Sequence, residues 1–278
     1  MTSIVAAIQM CSSDRVDENL ETVERLVKKA AGSGAKLVVL PETFAMIGKN
    51  PQDVLGIRET LGNGKIQDFL AHLASRHNVY VVGGTIPIAC KDAAKVRAAC
   101  LLYNPSGEII ARYDKMHLFD AVVSESESYT ESKTTEAGTQ IVVTDTSLGK
   151  LGLAVCYDIR FPALFTAMRN QGAEIIAVPA AFTLKTGQAH WQLLMRARAV
   201  ENFCYLVGGA QGGTHANGRK TYGHALAVDP WGTVIDEVTT MGDGIAYVDI
   251  QLKKLYEIRK FIPVDSHQKI KLDLTTLK

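Results

Sequence analysis

A chain of 278 residues with 47% hydrophobic and 21% charged residues has an ordinary globular composition and length enough for one large core or two small ones. Its formal net charge of +1, with no basic block and no basic residues interleaved with aromatics, leaves no electrostatic footprint for nucleic acid or an anionic membrane. The five cysteines (Cys11, Cys90, Cys100, Cys156, Cys204) and seven histidines show no paired spacing, so neither a disulfide framework nor a metal site is expected; without a charged leader or a membrane-length apolar run, the cytoplasm is the expected location.

Residues 3–9 alternate as a strand. Residues 17–31 then place Leu20, Val23, Leu26, Val27 and Ala30 on one helical stripe, with Asp14 or Asp17 as cap and Gly32-Ser33-Gly34 as terminator. The apolar run 36–40 reads as a buried strand that ends on Pro41 and hands Glu42 to a loop. Residues 43–62 read as irregular, 64–77 as a helix through Ile66, Phe69, Leu70 and Leu73, and 79–82 and 96–103 as strands. A turn at 104–107 leads into strand 108–113, and that hairpin delivers Lys115. The serine-rich, acidic stretch 120–139 has neither period and is expected to be a functional loop.

Residues 151–155 form an apolar strand that stops on Cys156, and Pro162 opens a helix. A further strand over 173–178 ends on Pro179, a helix spans 188–202, and 204–208, 222–228, 232–236 and 245–250 read as strands. Residues 252–261 read as a last helix, and the tail 264–278, poor in core pattern, is expected at a subunit interface. Strands alternate with helices, yet the hairpins at 96–113 and 222–236 forbid a purely parallel sheet, so the fold class is α/β with mixed sheets. No linker-like composition divides the chain, and residues 1–278 are read as one domain.

Taken singly, Glu42 and Lys115 have the preferences of solvated surface charges and Cys156 those of a small buried hydrophobe. Their shared position changes that reading: each directly follows an apolar strand, as does the 179–182 loop, and strand ends of α/β sheets are the usual place for a site. At a strand-to-helix corner, backbone N–H groups are expected to lower the Cys156 thiol pKa. Thiolate attack on an amide needs a base, a cation or donor for the oxyanion and an acid for the leaving nitrogen; Glu42, Lys115 and the Tyr157 N–H supply these types. A cysteine–histidine pair using His117, His190 or His224 stays open on spacing alone.

Leu40-Pro41-Glu42, Tyr113-Asp-Lys115-Met-His-Leu118 and Gly152-Leu-Ala-Val-Cys156-Tyr-Asp-Ile-Arg160-Phe-Pro162, in that order, resemble the nitrilase superfamily of carbon–nitrogen hydrolases over residues 4–263. The resemblance implies a four-layer α-β-β-α sandwich that dimerises into an α-β-β-α-α-β-β-α body and uses no metal or organic cofactor. It places the family's glutamate, lysine and cysteine on Glu42, Lys115 and Cys156, and a second, supporting glutamate on Glu131, with Glu125, Glu127 and Glu136 as neighbours in sequence. Residues 189–202 and 222–232 resemble the Nit-type branch. For that branch the implied substrate is the amide joining an α-ketoglutaryl group to cysteinylglycine, with α-ketoglutaramate as the alternative. A substrate anionic at both ends calls for positive groups, and Arg160 is assigned to the keto-acid end, Phe182 and Thr183 to the substrate wall, and Arg219 and Lys220 to the distal carboxylate. Arg160 bracing the nucleophile's turn and Arg219-Lys220 forming a solvated hairpin tip are the competing readings.

Overall fold

A computed structural model describes residues 3–125 and 127–270. In chain order its first half runs β1 (Ile4–Met10), α1 (Val16–Gly32), β2 (Leu37–Val39), α2 (Lys65–His77), β3 (Tyr80–Val82), β4 (Ile86–Ala89), β5 (Val96–Tyr103) and β6 (Ile109–Asp114). A small hairpin, β7 (Asp120–Ser124) and β8 (Glu127–Thr130), follows. The second half contributes β9 (Val143–Thr146), β10 (Gly149–Leu153), α3 (Pro162–Asn170) and β11 (Ile175–Ala177). A single turn, α4 (Leu184–Thr186), passes through a π-helical turn into α5 (Gln192–Asn202). Strands β12 (Tyr205–Gly208), β13 (Ala210–Thr214), β14 (Lys220–Tyr222), β15 (Leu226–Val228), β16 (Val234–Glu237) and β17 (Gly244–Asp249) precede α6 (Leu252–Phe261).

Two mixed sheets carry the molecule. The first has the order β14-β13-β1-β2-β3-β5-β4, with β17 pairing β1 and β6 pairing β5; the second has the order β16-β15-β12-β11-β10-β9. The period of two sorts the first sheet's side chains. Val5, Ala7, Leu37, Val39, Val82, Cys100 and Leu102 face the core shared with the second sheet. Their neighbours Ala6, Ile8, Met10, Val38, Val81, Ala99 and Leu101 face the apolar stripes of α1 and α2. On the far side, Leu164, Phe165 and Met168 of α3 and Met195 and Ala199 of α5 pack on the second sheet. The result is the expected α-β-β-α layering, and the central strands read as unbroken apolar runs because both of their faces are covered.

Several local expectations are corrected. Helix α1 starts after Arg15 with no side-chain cap, so neither Asp14 nor Asp17 performs that role. The stretch 120–139, expected as a loop, begins with the β7–β8 hairpin and a 3-10 turn, Glu131–Lys133; Val122 is 79% exposed, and a hairpin without a buried face leaves no period to read. The single strand expected over 222–228 is two: β14 belongs to the first sheet and β15 to the second, and the chain crosses between them at Gly223 (φ 73°) and His224 (φ 58°). Strand β13, parallel to β1, went unread because Ala-Gln-Gly-Gly-Thr has no apolar alternation. Of the tail, Val264–His267 forms a short helix and residues 271–278 lie outside the described residues.

Candidate active site

Three strand ends converge on one cavity of about 560 Å³, lined among others by Glu42, Lys115, Glu131, Cys156, Tyr157 and Arg160. Glu42 leaves β2 through a tight corner. Thr43 adopts φ 53° and its N–H donates to Thr85 Oγ1 at 2.9 Å, while Gln211 Nε2 donates to the Glu42 carbonyl at 3.1 Å. Gly84 (φ 51°) passes so close that a Cβ there would stand 2.1 Å from the Pro41 carbonyl oxygen, so only glycine fits. Lys115, 2% exposed, follows β6 and donates from Nζ to Glu42 Oε1 at 2.7 Å and to both Glu131 carboxylate oxygens at 3.0 and 2.8 Å. The same Glu131 carboxylate accepts the Phe119 N–H at 2.6 Å, which ties the ammonium group to the base of the β7–β8 hairpin.

Cys156 occupies the turn after β10 with φ 48°, a left-handed conformation that a non-glycine residue holds only where its surroundings over-determine it. Its N–H donates to the Pro179 carbonyl at 2.8 Å, fixing the turn against the loop that follows β11. The expected lowering of its thiol pKa is reversed. Burial first, and then the neighbouring Glu42 carboxylate, push it well above the ordinary value, against the pull of Lys115 and the Ala181 N–H. The shift favours the thiol over the thiolate, and the Glu42 carboxylate that contributes to it is the neighbouring group suited to take the proton during attack. Burial works to strip Lys115 of its proton, but Glu131 and Glu42 outweigh it and hold the pKa well above the ordinary value, so this side chain is a fixed positive charge. Burial raises the Glu131 pKa while Lys115 opposes it.

Of the remaining sequence-assigned residues, Tyr157, Arg160, Phe182, Thr183 and Arg219 line the cavity and Lys220 does not. Lys220 is exposed on β14, because neighbouring strand positions point to opposite faces and Thr221 takes the inward one. The three histidines are engaged elsewhere: His117 Nδ1 with Asp158 at 2.7 Å, His190 Nδ1 with Arg160 Nη2 at 3.2 Å, and His224 Nδ1 with Glu237 at 2.7 Å. None lines the cavity. Among the described residues, no group of three or more His, Cys, Asp or Glu side chains is arranged to hold a metal ion.

The chain matches the carbon-nitrogen hydrolase family over residues 4–260. It belongs to that family. Deaminated glutathione amidase of Yersinia enterocolitica is 40% identical to it over 267 residues, covering 95% of this chain and 92% of the relative. The human protein of the same name is 38% identical over 270 residues, covering 96% and 82%. Among solved structures, Saccharomyces cerevisiae Nit3, a member of branch 10 of the nitrilase superfamily, superposes with a TM-score of 0.86 at 29% identity and 97% coverage of each chain. The Caenorhabditis elegans NitFhit protein superposes with a TM-score of 0.87 at 34% identity, over 96% of this chain and 65% of that one.

One residue of this carbon–nitrogen hydrolase that sequence reasoning passed over organises the nucleophile's turn. Asp158 is fully buried, and its Oδ2 accepts the Val155 N–H at 2.8 Å and the Tyr113 hydroxyl at 2.7 Å. Its Oδ1 accepts the His117 N–H at 3.0 Å and faces His117 Nδ1 at 2.7 Å. Tyr113 and His117 flank Lys115, so one carboxylate sets the cysteine turn against the lysine strand end. An aspartate two residues after the cysteine, directly behind the buried strand, was the available signal. The hydrolase also lines its cavity with Phe119, just before the β7–β8 hairpin, and Tyr129, on its second strand.

Proposed function

We propose that this carbon–nitrogen hydrolase cleaves the amide of deaminated glutathione, releasing α-ketoglutarate and cysteinylglycine, with Cys156 as nucleophile, Glu42 as proton shuttle and Lys115 as oxyanion cation. The observation that carries the reading is the cavity's charge. Four cationic side chains, Lys115, Lys133, Arg160 and Arg219, line it against two carboxylates, Glu42 and Glu131, an excess of two positive charges in a chain whose net charge is +1. A dianion with a carboxylate at each end matches that excess; α-ketoglutaramate carries one negative charge and leaves a cation unmatched.

In the proposed cycle Glu42 accepts the Cys156 proton as the sulfur bonds to the amide carbon, and the oxyanion is held by Lys115 and the Tyr157 N–H. The C–N bond then breaks, the nitrogen taking the proton back from Glu42, and cysteinylglycine departs from an α-ketoglutaryl thioester. Glu42 next takes a proton from water, whose oxygen attacks the thioester carbon; the C–S bond breaks and the thiol regains its proton. Glu131 holds Lys115 in place, Arg160 takes the keto-acid carboxylate, and Phe182 and Thr183 form the wall beside it. All five cysteines are free, which suits a reducing cytoplasm, the proposed compartment.

The test is release of α-ketoglutarate from deaminated glutathione, measured beside ammonia release from α-ketoglutaramate. A specificity constant higher for the first supports the reading; a higher value for the second replaces it with an ω-amidase. Full activity in Cys156→Ala would remove the nucleophile from the scheme.

A further inference from the structure

The assigned cations differ in how they are held. Lys115 is paired with two carboxylates, whereas Arg160 and Arg219 have no carboxylate partner among the described residues. Arg160 stands over the Tyr157 and Phe182 rings at 5.8 and 5.6 Å, on the turn that carries the nucleophile. Arg219 comes from the β13–β14 hairpin on another wall. Its guanidinium lies 5.0 Å from the centroid of the Tyr129 ring, its Nη2 donates to the Ala181 carbonyl at 2.5 Å, and its Nε is buried without a partner. Lined up by an aromatic face and one backbone carbonyl, this guanidinium is held in a fixed plane while its charge is unanswered.

Arg219 also belongs to a hairpin that reaches the exposed part of the cavity's lining. Two residues earlier, Asn217 Nδ2 donates to the Gly48 carbonyl at 2.9 Å, joining the hairpin to the 45–57 segment, and Gly48, Asn50, Gln52 and Asn217 form the exposed or half-buried rim of the cavity. The order of events at a cysteine hydrolase gives this position a meaning. The acyl half of the substrate stays bonded to sulfur through the thioester, whereas the amine half leaves first and must lie nearer the opening. A cation beside the opening therefore meets the amine half.

Resting on the function proposed above, we infer that Arg219, clamped by Tyr129, binds the carboxylate of the departing amine and makes the enzyme select amides whose amine half is anionic. Lys220, exposed on the neighbouring strand position, takes no part.

The experiment compares deaminated glutathione with the same compound bearing a terminal glycinamide, which deletes one negative charge and keeps the scissile bond and acyl half. Wild type should favour the acid by about ten- to hundredfold in kcat/KM, the range for one charge-assisted contact, mainly through KM. In Arg219→Gln that ratio should fall to near one, Arg219→Lys should recover part of it, and Lys220→Gln should keep the wild-type ratio. A wild-type ratio near one, or an unchanged ratio in Arg219→Gln, overturns the assignment while leaving the amidase reading intact. Wild-type turnover of α-ketoglutaramate without any turnover of either glutathione derivative overturns the deaminated-glutathione reading itself and leaves an ω-amidase. Should Arg219→Gln fail to fold, the charge-retaining Arg219→Lys decides: a ratio identical to wild type with the shorter, non-planar cation refutes a fitted guanidinium site.

Discussion

At the residue scale, the site rests on an opposition between burial and charge. Cys156 is held as a thiol by burial and by the Glu42 carboxylate. Removing that carboxylate deletes a cause that raises the thiol pKa. In Glu42→Gln, therefore, the pH profile of iodoacetamide alkylation at Cys156 should shift to lower pH even as amide turnover falls by roughly a thousandfold, in line with loss of a positioned base. Alkylation followed by mass spectrometry checks this, and an upward shift would mean that Glu42 does not face the sulfur as a charge. Asp158 offers a second check. Its two oxygens take four donors, of which an asparagine oxygen and amide can satisfy only part. Asp158→Asn is expected to cost about 2–3 kcal/mol in urea unfolding and to lower kcat more than it raises KM, because the nucleophile's turn and not the substrate's anchors is disturbed.

Elements place these residues by where they stop. Pro41 ends the β2 run, Lys115 follows the last pair of β6 with β5, and the 3-10 turn at Cys156–Arg160 interrupts what would otherwise be a direct strand-to-helix junction. Close backbone approach fixes the Glu42 corner, and Gly84→Ala puts a methyl carbon 2.1 Å from the Pro41 oxygen at a positive φ. The backbone strain alone is expected to cost about 1–3 kcal/mol. Thermal melts should show the loss of stability, and activity should fall further than stability predicts because the displaced residue adjoins Glu42. The β7–β8 hairpin acts at the same scale: Glu131, at its foot, holds Lys115, and Tyr129, on its second strand, holds Arg219, so one small two-stranded unit touches two cations of the cavity.

For the whole molecule, the faces of α5 and α6 remain to be accounted for. Leu193 is 65% exposed on α5, and Tyr256 and Phe261 are 51% and 79% exposed on α6, large apolar side chains that water does not favour. We propose that these helices meet their copies in a homodimer, as the family resemblance implies. Sedimentation should give twice the chain mass for the wild type, and Leu193→Glu combined with Phe261→Glu should shift it to a single chain; a monomeric wild type would refute the proposal. Among the described residues, no helix is long and apolar enough to cross a membrane.

The order of the long strands and helices, the mixed sheets and the three strand-end residues were legible from the chain alone, because buried strands must be apolar on both faces and a proline or polar residue marks where each one stops; the short β4, broken by Pro87, and the polar β9 were not. The hairpin at 120–130, the crossing at Gly223-His224 and strand β13 were not: the first has no buried face, the second is a change of sheet within an apparently continuous run, and the third is too rich in glycine to alternate. Which charges matter was likewise a tertiary decision. Arg219 and Lys220 are adjacent and alike in sequence, yet the first, in the hairpin loop, lies beneath an aromatic ring while the second, opening β14, faces solvent, and only packing can choose between two neighbours of the same charge.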